Sequence, residues 1–202
     1  MDQREIAETL RAEFPSEVVE VAEFQGQVAV VVRRGRILDI LTRLRDGEEF
    51  RMNHLRALCG VDDSARDTPW PERFEVVYQL YSIELRHGIR LRALVPEEDA
   101  RIASATGLWP GANWLEREVF DLFGVRFTGH PDLRRVLLPE DWEGHPLLKD
   151  YPVRGPVEWR VMAELEQRRV ELDKHGFYAA HPLDGFEPVA EDVDGERTEE
   201  EP

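Results

Sequence analysis

The sequence predicts an α+β domain with a mainly antiparallel or mixed sheet of about five strands and flanking helices, followed by an extended Pro/Gly-rich arm. Three observations carry this. β-branched runs come in pairs joined by short turn signals, as hairpins do. Segments with helical apolar spacing lie before, between and after those pairs. Beyond residue 127 prolines and glycines crowd in and periodicity stops, while large apolar residues continue.

The elements follow in order. Gln3 to Glu13 places Ile6 and Leu10 at helical spacing with Phe14, and Pro15 stops the helix. Val18 to Phe24 and Gln27 to Val32 are strands joined by Gln25-Gly26. Ile37, Leu38, Leu41 and Leu44 give a second helix over Ile37 to Leu44. Ala57 to Val61 reads as a short strand. Phe74 to Ile83 and the alternating Ile89 to Val95 are two more, with Arg86-His87-Gly88 as the expected turn and Pro96 as the stop. Asn113 is expected to open a third helix. It stands three residues before Glu116, the spacing of a capping box, and Gly124 supplies the stop.

Four regions result: the α+β domain (1–127), the arm (128–156), a further helix over Trp159 to Leu172 with a loop from Phe177 to Phe186 (157–190), and an acidic tail (191–202). The tail holds seven carboxylates from Glu191 to Glu201 against Arg197, so it is expected to stay disordered. The arm differs. Leu133, Val136, Leu137, Leu138, Trp142, Leu147, Leu148 and Tyr151 are too apolar for a linker and too irregular for a second core. Such a segment buries its side chains against its own domain or a partner.

Composition excludes several functions. Asp and Glu number 42 against 26 Lys and Arg, giving a net charge of −16, which phosphate backbones would repel. The most apolar stretch, Gln27 to Val32, is far short of the roughly 20 residues a membrane helix needs, and the N-terminus has no leader pattern. Cys59 has no disulfide partner, cannot hold an iron–sulfur cluster alone, and is read as a small buried hydrophobe. The glycine-rich phosphate loops are missing.

Two constellations invite a chemical reading. Glu118 and Asp121 lie three apart on one helix face, as an acid–base pair would. Arg117 and Asp121 are at ion-pair spacing, and a structural charge network is the preferred reading. His130, Asp132 and His145 suggest a metal site, but both histidines precede prolines (Pro131 and Pro146), where turn-setting is the simpler role.

The stretch Glu116 to Pro152 resembles the 30 kDa subunit of respiratory complex I, known in the bacterial enzyme as its C subunit. The matching elements are Glu116-Arg117-Glu118, Phe120-Asp121, Phe123-Gly124, Gly129-His130-Pro131-Asp132-Leu133-Arg134-Arg135, Asp141-Trp142, Gly144-His145-Pro146 and Lys149-Asp150-Tyr151-Pro152. Upstream, Arg73 to Tyr78 and Val95-Pro96-Glu97-Glu98 fit as well.

The resemblance implies a non-catalytic, cofactor-free subunit in the quinone-reducing module of the peripheral arm of a proton-translocating NADH–quinone oxidoreductase. FMN and iron–sulfur clusters would sit on other subunits. The chain would pack on the 49 kDa-type subunit, peripherally, on the cytoplasmic side of the bacterial cell membrane. His130, Pro131, Asp132, Leu133, Arg134, Arg135, Trp142, Pro146, Lys149, Asp150 and Tyr151 are the expected partner contacts. Asn113, Glu116, Arg117, Glu118, Asp121 and Gly124 form the structural motif. Two rival readings are the equivalent subunit of a membrane-bound hydrogenase or formate hydrogenlyase, and a free-standing enzyme using the carboxylates and histidines.

Overall fold

Apolar periodicity is satisfied by one mixed sheet with three helices packed on it. In the computed structural model the described residues are 1–152, 167–172 and 174. The order is α1 (Gln3–Glu13), β1 (Val18–Phe24), β2 (Gln27–Arg33), α2 (Ile37–Asp46), β3 (His54–Asp62), β4 (Phe74–Ser82), β5 (His87–Val95), β6 (Arg101–Ala103), α3 (Ala112–Phe123) and β7 (Arg126–Thr128). The five-stranded sheet runs β1-β2-β5-β4-β3. Its pairs are antiparallel except β2–β5, where α2 and the β3–β4 hairpin intervene.

Period-2 alternation decides the faces. Val76, Tyr78 and Leu80 of β4 and Ile89, Leu91, Ala93 and Val95 of β5 join Ile6 and Leu10 of α1 and Ile37, Ile40, Leu41 and Leu44 of α2 in one core. The opposite face carries Glu75, Val77 and Gln79 beside Arg90, Arg92 and Leu94. Glu75 is fully buried there and receives Arg92 through two hydrogen bonds of 2.8 and 2.9 Å. The Gln25-Gly26 turn forms with both residues at positive φ, as a two-residue hairpin demands.

Several local expectations need correction. The second hairpin turns at residues 83–86, not at Arg86-His87-Gly88. The Ser82 carbonyl and hydroxyl accept from Arg86 and Leu85 N–H and close the turn. Gly88 lies within β5, where a Cβ would meet the Leu80 carbonyl oxygen at 2.5 Å. Strand β3 is longer than Ala57 to Val61. An irregularity between Leu55 and Ala57 sets Leu58 toward Tyr78 in the core and leaves Cys59 outward, so the thiol is exposed, not buried. The short parallel pair β6–β7 carried no sequence signal, since three residues show no period.

The capping box at Asn113 does not form. Helix α3 begins at Ala112, and the preceding turn supplies carbonyls of Trp109 and Pro110 to its first N–H groups. Glu116 instead points into the core, 2.6 Å from the Ser104 hydroxyl and 2.6 Å from the Ala105 N–H, which donates to it. A capping box does form on α1, between Asp2 and Glu5. Gly124 ends α3 as expected, at φ +79°.

Residues 167–172 are helical and exposed, within the Trp159 to Leu172 expectation. The rest of that helix, the end of the arm past residue 152, the Phe177 to Phe186 loop and the acidic tail lie outside the described residues.

Glu116 yields a pH prediction. Burial pushes its carboxyl up to about 7 against the opposing hydrogen bonds from Ser104 and Ala105. Below the ordinary carboxylate value of about 4.3 both folded and unfolded chains hold the proton. Between there and about 7 only the folded chain does, so Glu116 makes stability fall as pH rises through that window. Glu116→Gln keeps a donor for Ser104 and an acceptor for Ala105. Urea unfolding at about pH 5 and about pH 8 should show this contribution, on the order of 2 kcal/mol, in the wild type and not in the variant.

Candidate functional site

Asn113, Arg117 and Asp121 recur every four residues and so line one side of α3. The chain after β7 folds back along that side, and Asp121 is its centre. The buried carboxylate accepts N–H groups of Val136, Leu137 and Leu138 at 2.9, 2.8 and 2.9 Å on one oxygen. Its other oxygen accepts Arg135 Nη1 at 2.7 Å. Arg135 also donates to the carbonyls of Trp142 and Gly144, at 2.8 and 3.0 Å, so one guanidinium ties the helix to two turns of the arm.

Arg117 works from the other direction. Its guanidinium donates to the carbonyls of Arg134 and Arg135 at 3.2 and 3.0 Å. The expected Arg117–Asp121 ion pair is absent: each residue spends its charge on the arm, where part-buried backbone groups would otherwise lack partners within the chain. His145 Nδ1 lies 2.9 Å from the Asp121 carbonyl. Its ring covers Gly124, where a Cβ would approach it to 2.7 Å. A second anchor lies at the end of β3. Asp62, whose side chain is fully buried, accepts the Lys149 N–H at 2.9 Å and Arg73 at 3.1 Å, and Arg73 reaches Asp150 at 2.8 Å. Tyr151 donates to the Glu143 carbonyl and closes the arm on itself.

The electrostatics follow the geometry. Burial alone would raise the Asp121 and Asp62 carboxyls. In Asp121 the donors from Leu138, Arg135, Val136 and Leu137 outweigh it, and in Asp62 those from Arg73, Lys149 and Ser64 do; both carboxyls are held below the usual range. A carboxylate saturated with donors is a poor base. Glu118 is exposed on the far side of α3, so it does not share a site with Asp121. His130 Nε2 lies 3.1 Å from the Asn113 carbonyl while Nδ1 accepts the Asp132 N–H, leaving neither ring nitrogen for a metal. No group of three or more metal-ligating side chains occurs among the described residues.

The expected contact residues therefore divide. Leu133 and Leu148 pack against the chain's own core, the first of the two burials expected of the arm. Arg135, the Lys149 backbone, Asp150 and Tyr151 make bonds within the chain. Trp142 and Pro146 are half-buried. Pro131, Asp132 and Arg134 face outward, the last two as an exposed ion pair. Trp114, Leu137 and Leu147 are 63, 62 and 48 % exposed. Sequence reasoning missed the Asp62–Arg73 anchor, since nothing along the chain links residues 62 and 149. It also missed Trp114 as an outward group, because the aromatic fitted the helix's apolar pattern.

Comparison with known proteins agrees with this architecture. Residues 30–157 match the family described as "Respiratory-chain NADH dehydrogenase, 30 Kd subunit". The chain is 51 % identical over 153 residues to the NADH-quinone oxidoreductase C subunit of Roseiflexus sp. (strain RS-1), covering 76 % of this chain and 86 % of that protein. It is 46 % identical over 147 residues to the same subunit of Geobacter sulfurreducens, covering 73 % and 88 %. Among solved structures, a trypsin-resistant fragment of Nqo5 superposes with a TM-score of 0.57 at 37 % identity, over 66 % of this chain and all of that one. A chain of the archaeal membrane-bound sulfane sulfur reductase gives a TM-score of 0.58 at 21 % identity, over 92 % and 98 %, and shares the fold alone. The chain belongs to the 30 kDa subunit family of respiratory-chain NADH dehydrogenase, complex I. No helix among the described residues is long and apolar enough to cross a membrane.

Asp121→Asn should detach the arm. It leaves the partly covered Arg135 beside a neutral amide and weakens three backbone bonds, a loss of about 3 kcal/mol at neutral pH. Urea unfolding measures it, and trypsin should cut after Arg134 or Arg135 faster than in the wild type. Because the folded carboxyl lies below its ordinary value, Asp121's contribution is present above about pH 4 and disappears as pH falls through the folded value. The gap between wild type and variant should close in acid.

Proposed function

We propose that this chain is a non-catalytic structural subunit of the quinone-reducing module of a proton-translocating NADH–quinone oxidoreductase. It sits peripherally on the cytoplasmic side of the bacterial membrane and packs on the 49 kDa-type subunit. The observation that carries the reading is the division of the arm. Its hydrogen-bonding groups turn inward to Asp121, Arg117 and Asp62, which fixes its shape. Leu137 and Leu147 of the arm remain outward, as do the Arg134–Asp132 ion pair and Trp114 of α3. Exposed aromatic and aliphatic groups with an arginine at the margin have the composition of an interface centre. Arg117 stacks under Trp114 at 4.7 Å and stiffens that side chain before any partner arrives.

Support for a cofactor-free chain comes from its residues. One outward cysteine cannot ligate a cluster, and no glycine-rich loop offers a phosphate cradle. The electron carriers, FMN and iron–sulfur clusters, then belong to other subunits, and this chain contributes contact surface and rigidity. The likeness to the Nqo5 fragment and to the oxidoreductase relatives supports a role in the same kind of assembly.

Native gels of membranes from strains carrying Leu137→Glu or Arg134→Ala test the reading. Assembled complex should fall severely for Leu137→Glu. For Arg134→Ala the expected loss is on the order of 2–4 kcal/mol of subunit affinity. Both variants, as free subunits, should keep the wild-type urea midpoint, since the side chains stand outside the core. Normal assembly in both strains would remove the outward arm from the interface.

A further inference from the structure

Most arginines among the described residues stand in ion pairs with carboxylates. In so acidic a chain that is the expected fate of a guanidinium. Arg56, Arg86 and Arg90 are exceptions, and all three line one cavity of about 680 Å³ at the end of the sheet where β4 turns into β5. Asp2 is the one acidic residue in the lining, and it is engaged as the cap of α1. His87 lines the cavity as well. Its Nε2 lies 2.8 Å from the Phe50 carbonyl, and its Nδ1 is buried without a hydrogen-bond partner.

The strand arginines are held apart. Arg56 lies over the Tyr81 ring, 4.4 Å from its centroid. Arg90 donates to Gln27 at 2.8 Å and, with the Gln79 amide turned toward it, to Gln79. Arg56 is on β3 and Arg90 on β5, so the width of β4 separates their backbones, roughly 10 Å at ordinary strand spacing. Carboxylates on one side of an extended chain recur about every 7 Å, and planar guanidinium groups receive them in pairs of hydrogen bonds.

We propose that this cavity binds an acidic peptide segment of a partner chain, with Asp or Glu carboxylates received by Arg56, Arg86 and Arg90. The site lies on different elements from the Trp114 and Leu137 surface and does not depend on the function proposed for that surface.

Fluorescence anisotropy of a labelled decaglutamate peptide titrated with the full chain at low salt provides the test. Saturable binding is expected. Arg56→Gln/Arg90→Gln should weaken it at least about tenfold, and Arg86→Gln, at an exposed turn, severalfold. Arg126→Gln, outside the cavity, should change it less than about twofold. Circular dichroism identical to wild type secures the fold of each variant. Absent binding, or equal losses in Arg126→Gln and the cavity variants, overturns the proposal. Displacement of the peptide by citrate or inorganic phosphate at concentrations no higher than the peptide itself overturns it too, by making the cavity a small-anion site.

Discussion

One buried carboxylate organises the half of the chain that lacks periodicity. Asp121 holds three consecutive N–H groups and a guanidinium, and that guanidinium holds two further carbonyls. Without it, the segment from Val136 to Gly144 would carry part-buried backbone groups with no regular ladder to join. An irregular arm can be rigid only if side chains replace the hydrogen bonds that helices and strands provide for themselves. Here α3 provides those side chains, and the core provides the rigidity of α3 through Val119, Ala112 and Glu116.

The same logic explains why the domain tolerates so many buried charges. Glu75 with Arg92, Asp62 with Arg73 and Asp121 with Arg135 each pair a buried carboxylate with a partly covered arginine. Removing one partner of such a pair is costly, while the intact pair adds little net stability. Their contribution is positional. Asp62 and Arg73 fix where residues 149 and 150 lie, and Arg135 fixes the turns at Trp142 and Gly144. A surface fixed in this way carries no ordering cost into any later docking.

Legibility in the sequence followed interaction range. The hairpin at Gln25-Gly26, the helix after Ile37 and the stop at Gly124 were readable, because turn geometry and amphipathic period act over a few residues. Asn113 and Glu116 misled for the same reason. They have the local spacing of a cap, yet Ser104 and Ala105, brought near by the fold, captured the Glu116 carboxyl. Cys59 misled because one irregular residue in β3 reverses which side chains face inward. His130 and His145, each before a proline, reach back to carbonyls of α3, a pairing that no local spacing announces.

The sequence by itself determined the α+β class, the order of the main elements, the family to which residues 30–157 belong and the change of character after residue 127. Those follow from composition, period and motif, which are properties of neighbours along the chain. Only the tertiary structure decided the parallel β2–β5 pairing, the inward turn of Glu116, the split of the arm into anchoring and outward residues, and the gathering of Arg56, Arg86 and Arg90 around one cavity. Each of these joins residues far apart in sequence, or sets a side chain's direction by what the fold places beside it. A charge or a hydrogen-bonding group shows its type in the sequence but not its partner, because the partner is chosen by packing.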